Sequence, residues 1–249
     1  MTKMKSAFIT GANKSIGFES ARQLLQKGYY VYLGSRSLEN GLEAVRHLHA
    51  EGLTNVEAIR IDVTDQQSVE AARLEIGGKT EVLDVLINNA GIYGANPQNA
   101  LDASIDTFKS VYDTNVYGVV RTTQAFVDLL RKSTEPRIVN VSSSVGSLSL
   151  QSDPTWRFYD FAKFAVYASS KSALNMYTVT LAHELRDTAF KVNAVDPGYT
   201  NTDFNAHQGT GTVKDAAARV VKYALIDQNG PTGKYFSEET NPETGEIPW

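Results

Sequence analysis

A short apolar run, Ser6-Ala7-Phe8-Ile9-Thr10, stops at Gly11. The segment Gly11-Ala12-Asn13-Lys14-Ser15-Ile16-Gly17 then leads into a helix-like stretch from Phe18 to Lys27. Strand, glycine turn and helix in that order are the setting in which a glycine motif marks dinucleotide binding. Gly11 permits a tight turn, Gly17 permits close packing of helix on strand, and the free N–H groups of the helix start attract a pyrophosphate. An ordinary glycine-rich turn is the other reading of the same residues. The alternation continues along the chain. Tyr29 to Gly34 and Val56 to Ile61 read as buried strands, and Ser68–Leu74, Leu101–Leu130, Tyr159–Thr188 and Thr212–Asp227 read as helices. Apolar strands separated by amphipathic helices argue for a doubly wound, mostly parallel sheet with helices on both faces.

The length of 249 residues suits one such α/β domain, taken here as residues 1–249. A net charge of −4 argues against a nucleic-acid surface. There is no cysteine, so disulfide and thiol chemistry are out, which is compatible with a reducing, cytoplasmic setting. No stretch approaches the ~20 apolar residues of a membrane span, and the start of the chain lacks the long apolar core of a secretory signal. His47, His49, His183 and His207 show no metal-ligand spacing, so no metal is expected.

Tyr167 and Lys171 lie four residues apart in a helical segment of small residues, Ala168-Ser169-Ser170 and Ser172-Ala173. Residues i and i+4 are neighbours on a helix, so an ammonium is expected beside a phenol. A free phenol has a pKa near ~10. A fixed cation lowers it and fits the phenol for acid–base work. The spacing alone is common, and Tyr159 with Lys163 repeats it eight residues earlier. On one continuous helix the two pairs would face different directions. The small-residue context favours Tyr167.

Further segments appear in a fixed order: Leu83-Asp84-Val85-Leu86-Ile87-Asn88-Asn89-Ala90-Gly91, Thr114-Asn115-Val116, Arg137 to Ser144, Asn193 to Tyr199, and Gly230 to Phe236. With the glycine turn and the Tyr-Lys pair, this series resembles the short-chain dehydrogenase/reductase family from about Lys5 to Trp249. Two departures stand in the turn: Ser15 replaces the usual second glycine, and Phe18-Glu19 follow Gly17. Ser15 is small enough to cap the helix or to donate to a phosphate oxygen.

The resemblance implies a single-domain Rossmann-type fold with a seven-stranded sheet. It also implies hydride transfer between a nicotinamide cofactor and a small or medium ketone or aldehyde, or the corresponding alcohol. Tyr167 would pass the proton, and Ser143 would share the carbonyl oxygen, with Ser142 and Ser144 as alternatives. Lys171 would bind the nicotinamide ribose and depress the Tyr167 pKa. Asn115 would hold a water linking Lys171 to a proton relay. Cofactor contacts are implied at Gly11, Asn13, Lys14, Ser15, Ile16 and Gly17 of the turn. Asp62 and Val63 follow at the adenine, then Asn89, Ala90 and Gly91, then Pro197, Gly198, Thr200 and Thr202 near the carboxamide. Asp62 also reads as a helix cap.

After the second strand, Gly34-Ser35-Arg36-Ser37 offers no acidic residue for a ribose 2′-hydroxyl, whereas the Arg36 guanidinium suits a phosphate and Lys14 could lie on the same side. NADP(H) is therefore favoured over NAD(H). Ser143 and Tyr167 are 24 positions apart, about twice the usual family separation. The surplus, residues 148–164, carries Trp156, Phe158, Tyr159, Phe161 and Phe164. It reads either as a wall of the substrate pocket or as a surface segment packing its own aromatics. Tyr93, Trp156, Tyr199, Phe204 and a closing loop at 203–211 are the candidate pocket. The insertion favours a monomer over a homo-oligomer. The alternative to an enzyme is a catalytically silent dinucleotide-binding sensor or scaffold of the same fold.

Overall fold

A computed structural model describes residues 4–249. Seven strands form one sheet: β1 (Ser6–Ile9), β2 (Tyr30–Ser35), β3 (Val56–Arg60), β4 (Val85–Asn88), β5 (Arg137–Val141), β6 (Lys191–Val195) and β7 (Lys234–Phe236). Their order is β3-β2-β1-β4-β5-β6-β7, and every neighbouring pair is parallel. The chain winds outward from β1 in one direction, then returns to start again at β4. In open sheets of this kind ligands bind beyond the carboxyl ends of the strands at that switch point. Gly11, Arg36, Asp62, Asn89, Ser143 and Pro197 all follow strand ends on this edge.

Alternation along each strand divides the core into two. Ala7, Ile9, Val85 and Ile87 face one layer, packed by α1 (Ser15–Gln26), α2 (Leu38–Ala50) and α8 (Val213–Ala224). Phe8, Leu86 and Ile138 face the other, packed by α3 (Gln66–Lys79), α5 (Gly118–Leu130) and the end of α7 (Ala165–Glu184). Strands buried on both faces carry apolar residues at nearly every position, as parallel sheets require.

Two of the expected helices differ. The stretch read as Leu101–Leu130 is α4 (Ile105–Tyr112), a wide π-helical turn at Asp113–Tyr117, and then α5. A π turn displaces the side chains that follow it, and such turns concentrate at functional sites. This one holds Asn115. The stretch read as Tyr159–Thr188 is helical only from Ala165 to Glu184. Residues 152–164 are turns, preceded by a short α6 (Leu148–Gln151). Pro154 and the bonds of Asp153 Oδ1 to the N–H and hydroxyl of Thr155 fold this stretch locally. Among the described residues no helix is long and apolar enough to cross a membrane.

Candidate active site

The helices announce the site by how they begin. α2, α3, α4 and α8 start with side-chain caps from Ser37, Asp65, Ser104 and Thr212. α1 has no side-chain cap and no acidic residue in its first turn. Its first N–H groups are left for another partner, and the positive end of its dipole favours an anion. The glycines bring the backbone close there. A Cβ on Gly17 would lie 2.5 Å from Asn89 Nδ2 and 2.6 Å from the Gly11 carbonyl, so only glycine fits. Gly11 has φ +62° and sits against Ala90. Asn89 locks the turn, donating to the carbonyls of Thr10 (2.9 Å) and Gly11 (3.0 Å), while Thr10 Oγ1 accepts from the N–H of Asn89 and of Ala90.

Ser15 does not cap α1. Its φ is +55°, a left-handed conformation that favours glycine, and the position before it, Lys14, is the N-cap. The family's usual glycine at this position thus has a conformational reason, and the serine bears that strain. Lys14 reaches across to Asp203 of the 203–211 segment at 2.8 Å. Arg36 is exposed and makes no ion pair among the described residues. Asp62 accepts from the Thr64 N–H (3.0 Å) and hydroxyl (2.7 Å). Burial opposes its ionisation, but these bonds and the fields of Arg36 and Arg60 hold its carboxyl below the usual range. Asp65, not Asp62, caps α3. Val63 is buried against Gly118.

Three serines end β5, and each has a different neighbour. Ser142 Oγ donates to Asn175 (2.7 Å), and Ser144 turns to the buried Asp196. The Ser143 side chain is near enough to the Tyr167 phenol to favour its ionised form. Its backbone carbonyl accepts from the buried Tyr235 hydroxyl. Gly146 lets this loop meet α7, since a Cβ there would lie 2.8 Å from Lys171 Cβ. Small residues on α7 are what make that approach possible.

Lys171 lies beside Tyr167 but is not directed at it. Its Nζ donates to the Val141 carbonyl at 2.9 Å and is 5.6 Å from the centre of the Tyr167 ring. Burial draws the Lys171 ammonium down to about 8, and the Asp196 charge partly opposes this. The Tyr167 phenol is pushed well above its ordinary value, by burial first and then by Asp196, with the Ser143 side chain acting against both. The sign is opposite to the lowering expected from spacing alone, because in the protein by itself desolvation of the ring dominates and Lys171 is turned toward the Val141 carbonyl. Asn115 is buried and its amide is engaged at both ends: Oδ1 accepts from the Ile92 N–H (2.9 Å), and Nδ2 donates to the Ile92 carbonyl (2.9 Å) and to Ser170 Oγ (3.1 Å). Its side chain clamps the segment after β4 onto α7. Gly91 lies between the two, 3.4 Å from Asn115 Oδ1 and 3.8 Å from Lys171 Nζ measured from a built Cβ.

Over Tyr167 stands a cluster of aromatic rings. Tyr93 and Phe204 each lie 5.5 Å from it, and Phe164 packs edge-on to Tyr93 at 5.5 Å. Phe164 is the residue of the 148–164 segment that joins this wall. Trp156 does not join it; it is buried against Phe158. Tyr199 is half-exposed, with its N–H donated to Glu239. Thr200 and Thr202 are buried, the first bonded to the Gly198 carbonyl and the second capping a short turn. Gly198 has φ +87°, and Arg219 holds the Pro197 carbonyl at 2.7 Å.

Residues 5–212 match the family model described as short chain dehydrogenase. The chain belongs to that family. The (-)-isopiperitenone reductase of Mentha piperita is 36% identical over 305 aligned positions, covering 94% of this chain and 96% of that protein. The alignment is longer than this chain's 249 residues, so the mint protein carries segments that this dehydrogenase lacks. Salutaridine reductase from Papaver somniferum superposes with a TM-score of 0.83 at 29% identity, covering 94% of this chain and 99% of that one. The NADPH-bound carbonyl reductase from chicken fatty liver superposes with a TM-score of 0.82 at 25% identity, covering 99% and 100%. Gln98, Gly146, Asp196 and Tyr235 of this short chain dehydrogenase escape a reading by motif. Each acts through a long-range contact that no local spacing signals.

Proposed function

We propose that this short chain dehydrogenase is an NADP(H)-dependent reductase of partly apolar ketones or aldehydes, running in reverse as an alcohol dehydrogenase. The observation that carries this reading is the Tyr167 phenol, beside the Ser143 side chain and beneath an aromatic wall at the carboxyl-end edge of the sheet. The residues fit the cofactor: the uncapped start of α1 and the close glycines suit a pyrophosphate, and exposed Arg36 suits a ribose phosphate. Bound reduced nicotinamide supplies the hydride.

The rest is the work of the chain. The Ser143 and Tyr167 hydroxyls hold the carbonyl oxygen, and Tyr167 yields its proton as negative charge develops there. A phenol kept protonated by burial is in the right state to donate at neutral pH. Lys171, charged below about pH 8, stabilises the phenolate that remains and takes the ribose hydroxyls. Asn115 fixes the positions of Ile92 and α7 relative to each other. Tyr93, Phe164 and Phe204 supply an apolar surface for the substrate. The reductase names of the relatives support this direction of reaction. A silent sensor has less support, because Asn115, Ser143, Tyr167 and Lys171 are all present around one point.

The test is a panel of cyclic ketones, aromatic ketones and aldehydes, assayed with NADPH and with NADH by cofactor absorbance. We expect turnover of several members, at least about tenfold preference for NADPH, and loss of that preference in Arg36→Ala. Preference for NADH, or no turnover of any carbonyl, contradicts the reading.

A further inference from the structure

α7 begins as bare as α1. Its N-cap residue, Phe164, offers no side-chain bond, yet this end of the helix carries Tyr167 in its first turn. The missing cap comes from 69 residues away. Gln98 accepts from the Tyr167 N–H through Oε1 at 3.1 Å, and its backbone carbonyl accepts from the Ala165 N–H at 2.8 Å. The other end of the same amide donates to the carbonyls of Tyr93 (3.0 Å) and Ala95 (3.1 Å). Gln98 is only 5% exposed, so these bonds are made out of water, where losing a partner is costly. Gly94, at φ +93°, lets the segment close around the amide: a Cβ there would lie 3.3 Å from Gln98 Nε2.

One amide therefore joins two things that must stay in register. It holds the backbone of Tyr167, and it holds the backbone of Tyr93, whose ring packs on the Tyr167 ring at 5.5 Å. An aspartate or serine N-cap on α7 itself would satisfy the helix but would leave the Tyr93 segment untied. We propose that Gln98 is a positioning residue for the reaction: it sets the place of the Tyr167 phenol relative to the pocket wall by capping the catalytic helix from outside it. This rests on Tyr167 being the proton donor. Gln98 itself touches neither substrate nor cofactor. Its effect must pass through Tyr167, which distinguishes it from a residue that merely supports the fold.

The experiment is a double-mutant cycle of Gln98→Met and Tyr167→Phe, read as single-turnover reduction of a reactive ketone at saturating NADPH, with NADPH affinity measured by fluorescence. Methionine matches glutamine in length and removes all three side-chain bonds. We expect Gln98→Met to slow reduction about tenfold with NADPH affinity within twofold of the parent, and to slow it no further in the Tyr167→Phe background. Should Gln98→Met fail to fold, Gln98→Glu, which keeps an acceptor for the Tyr167 N–H and loses both donors to the Tyr93 segment, tests that tie: slowing that vanishes in the Tyr167→Phe background supports the proposal, and an unchanged rate overturns it. An unchanged rate overturns the proposal, as does a loss of the same size in both backgrounds. Full activity in Tyr167→Phe alone would instead overturn the proton-donor reading.

Discussion

Two tyrosine–lysine pairs of identical spacing lie eight residues apart, and the structure gives them different physics. Lys163 stands 3.7 Å from the centre of the Tyr159 ring and donates to Gln151 at 2.6 and 3.2 Å. That pair sits in surface turns, with Lys163 exposed. Lys171 is farther from its tyrosine, at 5.6 Å, and is buried against the Val141 carbonyl. The closer cation is thus the less consequential one. An exposed cation over a ring contributes about 0.5–1 kcal/mol and stays in water. A buried ammonium has no water to return to, so its charge acts on whatever shares the cavity. Spacing identifies a pair; depth and the surrounding strands decide what it can do.

Exchanging each lysine for methionine should separate the pairs most widely. Lys171→Met is expected to cost about 10²–10⁴ in the rate of carbonyl reduction, and Lys163→Met less than about twofold. Comparable losses at both would erase the distinction. The pH profile comes next. With burial holding Lys171 near pKa 8, the reduction rate should be level at neutral pH and fall above about pH 8 as the ammonium is lost. Alcohol oxidation, which needs the phenol deprotonated, should rise with pH. Lys163→Met should leave both limbs in place; if it moves either, the exposed pair is also part of the machinery.

Stability offers a subtler contrast. The folded protein gives up the Lys171 proton near pH 8, whereas the unfolded chain keeps it to about 10.5. The unfolded state then binds more protons between those values, so this group makes the fold more stable as pH rises through them. The gain is up to about 3 kcal/mol. Urea melts should show this slope in the parent and its loss in Lys171→Met; an unchanged slope would mean that Lys171 is not the group responsible. The smallest effect belongs to the outer pair. Lys163→Met should lower stability by about 0.5–1 kcal/mol by the same melts, and a loss several times larger would mark 152–164 as structural rather than peripheral.

Much of this was legible in the chain because it rests on local rules. The strand runs, the glycine turn and the Asn88-Asn89-Ala90-Gly91 end of β4 carry their own periodicity and conformational demands, and the parallel sheet follows from them. Neighbouring strand residues point to opposite faces, and that alternation sets Ser143 apart from Ser142 and Ser144. What was not legible depends on distance or depth. Five aromatics between Trp156 and Phe164 suggest a helix continuing into α7, but Pro154 and the Asp153–Thr155 bonds make turns there. The i,i+4 spacing of Tyr167 and Lys171 says that they are close; it does not say that Lys171 is spent on Val141, nor that burial sets the direction of the Tyr167 shift. Trp156 looks like a pocket residue by composition and is packed away from the cluster, while Phe164 joins it. Gln98 carries no signal at all, since its partners are backbone groups of a helix far along the chain.

The most direct measurement is the single-turnover rate of carbonyl reduction in Tyr167→Phe and Tyr159→Phe, side by side at saturating NADPH. The account predicts that the first falls by about 10³ or more while still binding NADPH, and that the second matches the parent. Equal rates in the two variants would contradict it, because the proton would then come from somewhere other than the phenol beside Ser143.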